Sequence, residues 1–226
     1  MTELSHGTLV IAARGKNFVV LGADSKGILG DLDGPIVIGS RALKITILSN
    51  HVAAATYGVA EFGENLLDQY QSTKEADLDG VTNVLESFRI FCRDKWNEWF
   101  SNFEVASQPH LGFVVAGLDI GQSGQYDTPK MFSIESWYNF APALHRYRHV
   151  CRGIYSLATF IMDQNYREDM DINEVISLVE STISKVAQSD PRIGLPVRIA
   201  LIDTTLGARM RDEQSEGGGV RNGNES

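Results

Sequence analysis

Thr8 and Asp24 stand at the two ends of one short stretch, HGTLVIAARGKNFVVLGADSKG (residues 6–27), with two apolar runs and a tight polar turn between them. A threonine hydroxyl is a weak nucleophile at neutral pH and needs a base or a lowered pKa to act as one. A carboxylate that closes an apolar strand is costly to bury unless a charge pairs with it. Lys44, set between Leu43 and Ile45 in RALKITIL, is the lysine of its strand region, and its stem reads as buried. Each residue also has an ordinary reading: threonine opens strands, aspartate caps turns, and lysine lines sheet edges. Asp190, just before Pro191, is equally at home in a turn at a helix end.

Composition narrows the chemistry. The 226 residues carry 20 basic and 29 acidic side chains, a net charge of −9, and no basic cluster that would neutralise a run of phosphates, so nucleic acid is excluded as the expected partner. Cys92 and Cys151 lie far apart, with no CxxC or Cys/His spacing, and read as half-buried free thiols of a reducing compartment. No metal site and no cofactor is expected. The opening MTELSHG has no apolar signal core and no window approaches the ~18 apolar residues of a membrane span, so a soluble, cytoplasmic chain is expected. An apolar content of 43% is sufficient for one large domain.

The elements that must position these residues follow from periodicity. Residues 8–13 and 18–23 read as a β-hairpin turned by RGKN and apolar on both faces, hence covered on both sides. ILGDLDGP (28–35) reads as a turn-rich excursion, and strands resume in IVIGS, LKITILS and HVAAATYG. Val59, Phe62, Leu66, Leu67 and Tyr70 mark a first helix; Val84, Leu85, Phe88, Phe91, Cys92, Trp96 and Trp99 mark a second from about Thr82. Those aromatics read as the core face of a helix layer, and the same segment, FRIFCRDKWNEWF, is a candidate source of anchors at subunit contacts. HLGFVVAGLDI and PKMFSIES are strands, while YNFAPALHRYRHVC has no clear period. A third helix runs through Ile154, Leu157, Ala158, Ile161 and Met162. A fourth opens on Asp171, with Glu174 three residues on in a capping-box pattern, and ends at SDP. LPVRIALID is a last strand, and 206–226 is a Gly-rich charged tail too poor in apolar residues to fold. Strands, two helices, strands, two helices and a strand fit two stacked sheets with a helix layer outside each, an α+β architecture.

HGT before an apolar strand, VVLGADSKG after the turn, RALKITIL, ATYGVAEF and AQSDPRIGLPV, in this order, resemble the subunits of the 20S proteasome over about residues 6–205. The resemblance implies the four-layer αββα sandwich of the N-terminal nucleophile hydrolases. It also implies, for a β-type subunit, that residues 1–7 are a short propeptide cut between Gly7 and Thr8. On the matching positions Thr8 is the nucleophile, Asp24 and Lys44 are its catalytic partners, Asp190 is the second acid, and Ser156 is the serine before the third helix. Gly58 falls at the glycine that precedes the first long helix. The implied activity is a threonine-type peptidase or amide hydrolase acting on peptide or unfolded protein, within stacked rings of itself or of related subunits, without cofactor or metal.

The chemistry is coherent on physical grounds. An α-amino group, with an ordinary pKa near ~8, is one of the few bases able to take the proton of a hydroxyl in its own residue. A neighbouring ammonium lowers the pKa of both groups by its charge, and a carboxylate between the strands holds that ammonium in place. Backbone N–H groups would meet the oxyanion, and a glycine at position 58 permits close approach. The chain departs from the family pattern in three places. Ser-Gly-Gly after the second acid reads Ile193-Gly194-Leu195, the Gly-Ser-Gly-Ser stretch is reduced to RGIYS, and the hairpin turn RGK is that of α-type subunits. The alternative is therefore a catalytically inactive, α-type-like ring subunit, although only seven residues precede Thr8.

Overall fold

In the computed structural model, residues 7–31, 34–39, 42–75, 78–104 and 108–211 are described. The hairpin at residues 8–24 is present: β1 (Leu9–Arg14) pairs antiparallel with β2 (Phe18–Asp24), Val10 opposite Ala23 and Arg14 opposite Val19. The turn closes through Gly15 N–H donating to the Phe18 carbonyl at 3.0 Å. This hairpin is the centre of the first sheet, with β10 (His149–Gly153) on its β1 side and β11 (Val197–Asp203) and β12 (Gly207–Met210) beyond β2. A second antiparallel sheet runs β5 (Ile45–Ser49), β6 (Val52–Gly58), β7 (Leu111–Ile120), β8 (Tyr126–Glu135) and β9 (Ala143–Leu144) in that order.

The two-residue alternation of strands explains why the hairpin is apolar throughout. Val10, Ala12, Val19, Leu21 and Ala23 face the second sheet and meet Ala53, Ala55, Val114 and Ala116 across the middle of the molecule. Leu9, Ile11 and Val20 face outward and pack under α3 (Ser156–Asn165) and α4 (Ile172–Ser189), against Val175, Val179 and Ile183. On the far side, Phe113 and Val115 pack beneath α1 (Ala60–Thr73) and α2 (Val81–Phe100), against Leu66, Leu67, Phe88 and Trp96. These three apolar layers make an αββα sandwich; fully burying one such aliphatic or aromatic side chain stabilises by roughly 1.5–3 kcal/mol.

Helix starts are set by side chains near and far. Asp171 accepts from the N–H groups of Asn173 and Glu174 at 2.8 and 2.9 Å, and Glu174 accepts from the Asp171 N–H, so the expected capping box closes α4. The start of α2 has no local cap; Asp119, at the end of β7, accepts from Thr82 N–H at 3.0 Å instead.

Several expectations are corrected. The excursion at 28–35 contains β3 (Gly27–Asp31), which pairs with β4 (Gly34–Gly39) as a two-stranded sheet; its glycines and aspartates hide strand character from composition. The segment without a clear period supplies β9 and β10. The chain does not lose structure at 206: Asp203 accepts from the Thr205 and Leu206 N–H groups, and β12 pairs back on β11, with Ala208 and Met210 packed on the central core. Residues 212–226 lie outside the described residues, as do 1–6, on which most of the expected propeptide falls. Cys92 and Cys151 are both buried rather than half-buried, and burial pushes the Cys151 thiol up to about 12. Phe88, Cys92 and Trp96 lie inside the core, with Phe91, Trp99 and Phe100 half-buried against it, so most of this aromatic stripe packs within the chain.

Candidate active site

Asp24 closes β2 with its side chain fully buried, and four donors converge on it. Its Oδ1 accepts from Lys44 Nζ at 2.7 Å and from the Leu9 N–H at 2.9 Å; its Oδ2 accepts from the N–H groups of Lys26 and Gly194, both at 3.1 Å. Leu9 directly follows Thr8, so one carboxylate oxygen ties the lysine to the start of β1. Lys44, just before β5, is fully buried as well. Its carbonyl accepts from Thr56 N–H at 2.9 Å, which fixes the lysine to β6. Burial pulls the Lys44 ammonium below its ordinary range, while the charges of Asp24 and Glu64 work to hold its proton.

Thr8 is 2% exposed, and its hydroxyl makes no hydrogen bond among the described residues. Its carbonyl accepts from Ile154 N–H at 2.8 Å. Gly153, at φ +81°, lies directly on that carbonyl: a Cβ there would come within 1.9 Å of the Thr8 oxygen, so β10 can close on the Thr8 backbone only through glycine. Gly58 ends β6 at φ +89°, and a Cβ there would meet the His110 carbonyl at 2.3 Å. The next N–H, that of Val59, donates to the same carbonyl at 3.1 Å.

Of the residues read from the sequence, Thr8, Asp24 and Lys44 are brought together and Gly58 ends the strand that holds Lys44. Among the described residues, Asp190 and Ser156 are not joined to them by hydrogen bonds. Asp190 ends α4 and accepts from Arg192, through its backbone N–H at 2.9 Å and its guanidinium at 3.0 and 2.7 Å. These bonds hold the Asp190 carboxyl below the usual carboxylate range. Ser156 is exposed at the first turn of α3. The turn after Asp190 does reach the site, because Gly194 donates to Asp24 and accepts from the Ser25 N–H at 3.2 Å. Ile193 is 3% exposed and packs in the outer core with Leu9.

Sequence reasoning missed Glu64, on α1. Burial raises its pKa, and the Lys44 charge and a Leu43 N–H bond lower it, with burial winning. It is a half-buried carboxyl beside the lysine, and within a helix of ordinary amphipathic pattern nothing distinguished it. Among the described residues no cluster of His, Cys, Asp or Glu is placed to hold a metal ion, and no helix is long and apolar enough to cross a membrane.

The two stacked antiparallel sheets with helices outside each have the fold that the resemblance to N-terminal nucleophile hydrolases implies. No protein-family model matches the chain. It is 24% identical over 206 residues to proteasome subunit beta type-1 of Saccharomyces cerevisiae, covering 88% of this chain and 85% of that protein. It is 26% identical over 202 residues to proteasome subunit beta 2 of Pyrococcus furiosus, covering 84% of each. Both relatives are β-type proteasome subunits, so the chain is similar to the family that its sequence resembles.

Proposed function

We propose that the chain is a proteasome β-like threonine peptidase that cleaves its own Gly7–Thr8 bond and then hydrolyses peptide or amide bonds inside an assembly of proteasome-like subunits. The observation that carries this reading is the Asp24 carboxylate, which accepts from both Lys44 Nζ and the N–H of the residue after Thr8. A buried ammonium is thereby held beside the nucleophile's backbone, where its charge favours the ionised hydroxyl and the neutral amine. In the first half-reaction the Thr8 oxygen bonds to the substrate carbonyl carbon, its proton passes to the freed Thr8 amine, and the C–N bond breaks as that proton goes to the leaving amine. Water then attacks the ester, giving up a proton to the same amine and releasing the acid and the threonine hydroxyl. The Gly58 N–H would meet the developing oxyanion, since the next N–H, that of Val59, is taken by the His110 carbonyl.

The likeness to two proteasome subunits supports membership of a multi-subunit assembly. A second reading, an inactive ring subunit, is favoured by Ile193, an apolar side chain where the family pattern has a hydroxyl. Mass spectrometry of the assembled protein separates the two. The peptidase reading expects a chain starting at Thr8, with cleavage of peptide reporters that Thr8→Ala abolishes. A chain that retains residues 1–7 after assembly and cleaves nothing supports the structural subunit and overturns the peptidase.

A further inference from the structure

Next to this site the apolar interior between the two sheets gives way to a polar network centred on Glu135, the last residue of β8. Tyr57, buried in the inter-sheet core, donates from its hydroxyl to Glu135 Oε1 at 2.8 Å. Gly112, opposite Tyr57 in the β6–β7 ladder, leaves the room that the ring fills: a Cβ there would lie 2.3 Å from it. His110 Nε2 lies 3.4 Å from Glu135 Oε2, and Arg152 reaches across from the first sheet to place Nε 3.7 Å from Oε1. The guanidinium also donates to the Cys151 carbonyl at 3.1 Å and, at 3.5 Å, to Ser133 Oγ, which His145 Nε2 meets at 3.0 Å. Tyr57, His110 and Arg152 hold the Glu135 carboxyl below its ordinary range, His110 contributing most.

Each partner of Glu135 adjoins a backbone group of the site. Tyr57 precedes Gly58. His110 carries the carbonyl on which Gly58 and Val59 rest. Arg152 precedes Gly153, which packs on the Thr8 carbonyl. Stability alone does not account for such an arrangement, because apolar side chains of similar volume commonly serve as well or better than a partly buried ion pair. The Tyr57 hydrogen bond and the flanking charges of His110 and Arg152 supply direction, which apolar contact between sheets lacks.

We infer that Glu135 is a positioning residue: through Tyr57, His110 and Arg152 it fixes the spacing between the Gly58 backbone in one sheet and the Thr8 backbone in the other. The inference rests on the peptidase reading, in which those two backbones carry the oxyanion donors and the nucleophile. Small errors in such spacing act on the chemical step, and a shift of about 1 Å can cost on the order of a hundredfold in rate.

Tyr57→Phe, Glu135→Gln, Arg152→Gln and the conservative Arg152→Lys are compared with the parent by kcat and KM on a fluorogenic peptide, with turnover expressed per assembled chain whose N-terminus is Thr8. We expect kcat to fall about tenfold or more in Tyr57→Phe and Glu135→Gln with KM unchanged, the pattern of lost transition-state geometry. Arg152→Lys, which keeps a charge for Glu135, is expected to retain more kcat than Arg152→Gln. Parental kcat in the Tyr57 and Glu135 variants, or a change in KM alone, overturns this inference and leaves the peptidase standing. A parent with residues 1–7 intact and no turnover overturns both.

Discussion

The four donors on Asp24 set up a test that separates its role from that of Lys44. Replacing Lys44 by Met removes the ammonium but leaves the carboxylate with three backbone N–H groups, those of Leu9, Lys26 and Gly194. Replacing Asp24 by Ala strands those donors together with a fully buried ammonium. Breaking a buried pair typically costs about 3–5 kcal/mol, most of it in the charge left behind. Asp24→Ala is therefore expected to lower the urea midpoint further than Lys44→Met, while both abolish turnover; equal midpoints would refute the asymmetry. Lys44→Arg is expected to fail as well, since a planar guanidinium does not fit a site shaped around an ammonium. Thr8, Asp24 and Lys44 were legible because each is a polar residue at the edge of an apolar strand, an exception that hydrophobic patterning exposes. Asp190, read as the second acid, is engaged locally: Arg192, two positions on, pairs with its carboxylate.

Helices and strands were legible to the extent that their partners are close in sequence. The capping box of α4 and the stripes of α1 and α2 can be read locally, whereas β3 carries two glycines and an aspartate that mask alternation. Less visible still was a staple that joins the β5–β6 turn to the start of α2. Asp79 accepts from Ser49 Oγ at 2.6 Å and from the His51 backbone N–H at 3.2 Å, and lies 2.7 Å from His51 Nδ1, whose ring stacks on Tyr126 at 4.0 Å. Burial pushes the Asp79 carboxyl up, but the bonds from Ser49, His51 and Gly80 outweigh it and leave its pKa below the ordinary value. A carboxyl whose folded pKa lies below its unfolded value stabilises at pH above the unfolded value, and that contribution disappears as pH falls through the folded one. Asp79→Asn is expected to cost about 1–3 kcal/mol at neutral pH, toward the lower end because the pair is partly exposed. The variant's thermal midpoint should then converge on the parent's as both are acidified below the ordinary carboxylate range. A constant gap between the two curves would show that the charge of Asp79 is not what matters.

Viewed whole, the molecule pairs its hairpin with a strand from near the C-terminus: β11 runs against β2, Val197 opposite Asp24 and Asp203 opposite Phe18. A single sequence gives no sign of that pairing, because the contact closes a loop of most of the chain, yet it is what brings Gly194 onto Asp24. The same non-local folding decides which aromatic residues remain for partners. FRIFCRDKWNEWF was a candidate for subunit contacts, but most of its stripe packs within the chain. Exposed apolar side chains stand instead on α3 and at its start: Tyr155 at 52%, Leu157 at 40% and Phe160 at 63% exposure. If the chain assembles as proposed, this face offers apolar area to bury, and a charge at its centre would be desolvated without a partner. Phe160→Glu is expected to fold normally, since the side chain points away from the core formed by Ala158 and Met162 on the same helix. In light scattering the parent should run as a multiple of its 24.9 kDa chain across dilution, and the variant should shift toward that single-chain mass. Turnover should fall with assembly while circular dichroism stays unchanged. A parent that remains a monomer at every concentration would remove the oligomer, and a variant that assembles as the parent does would move the contact elsewhere on the surface.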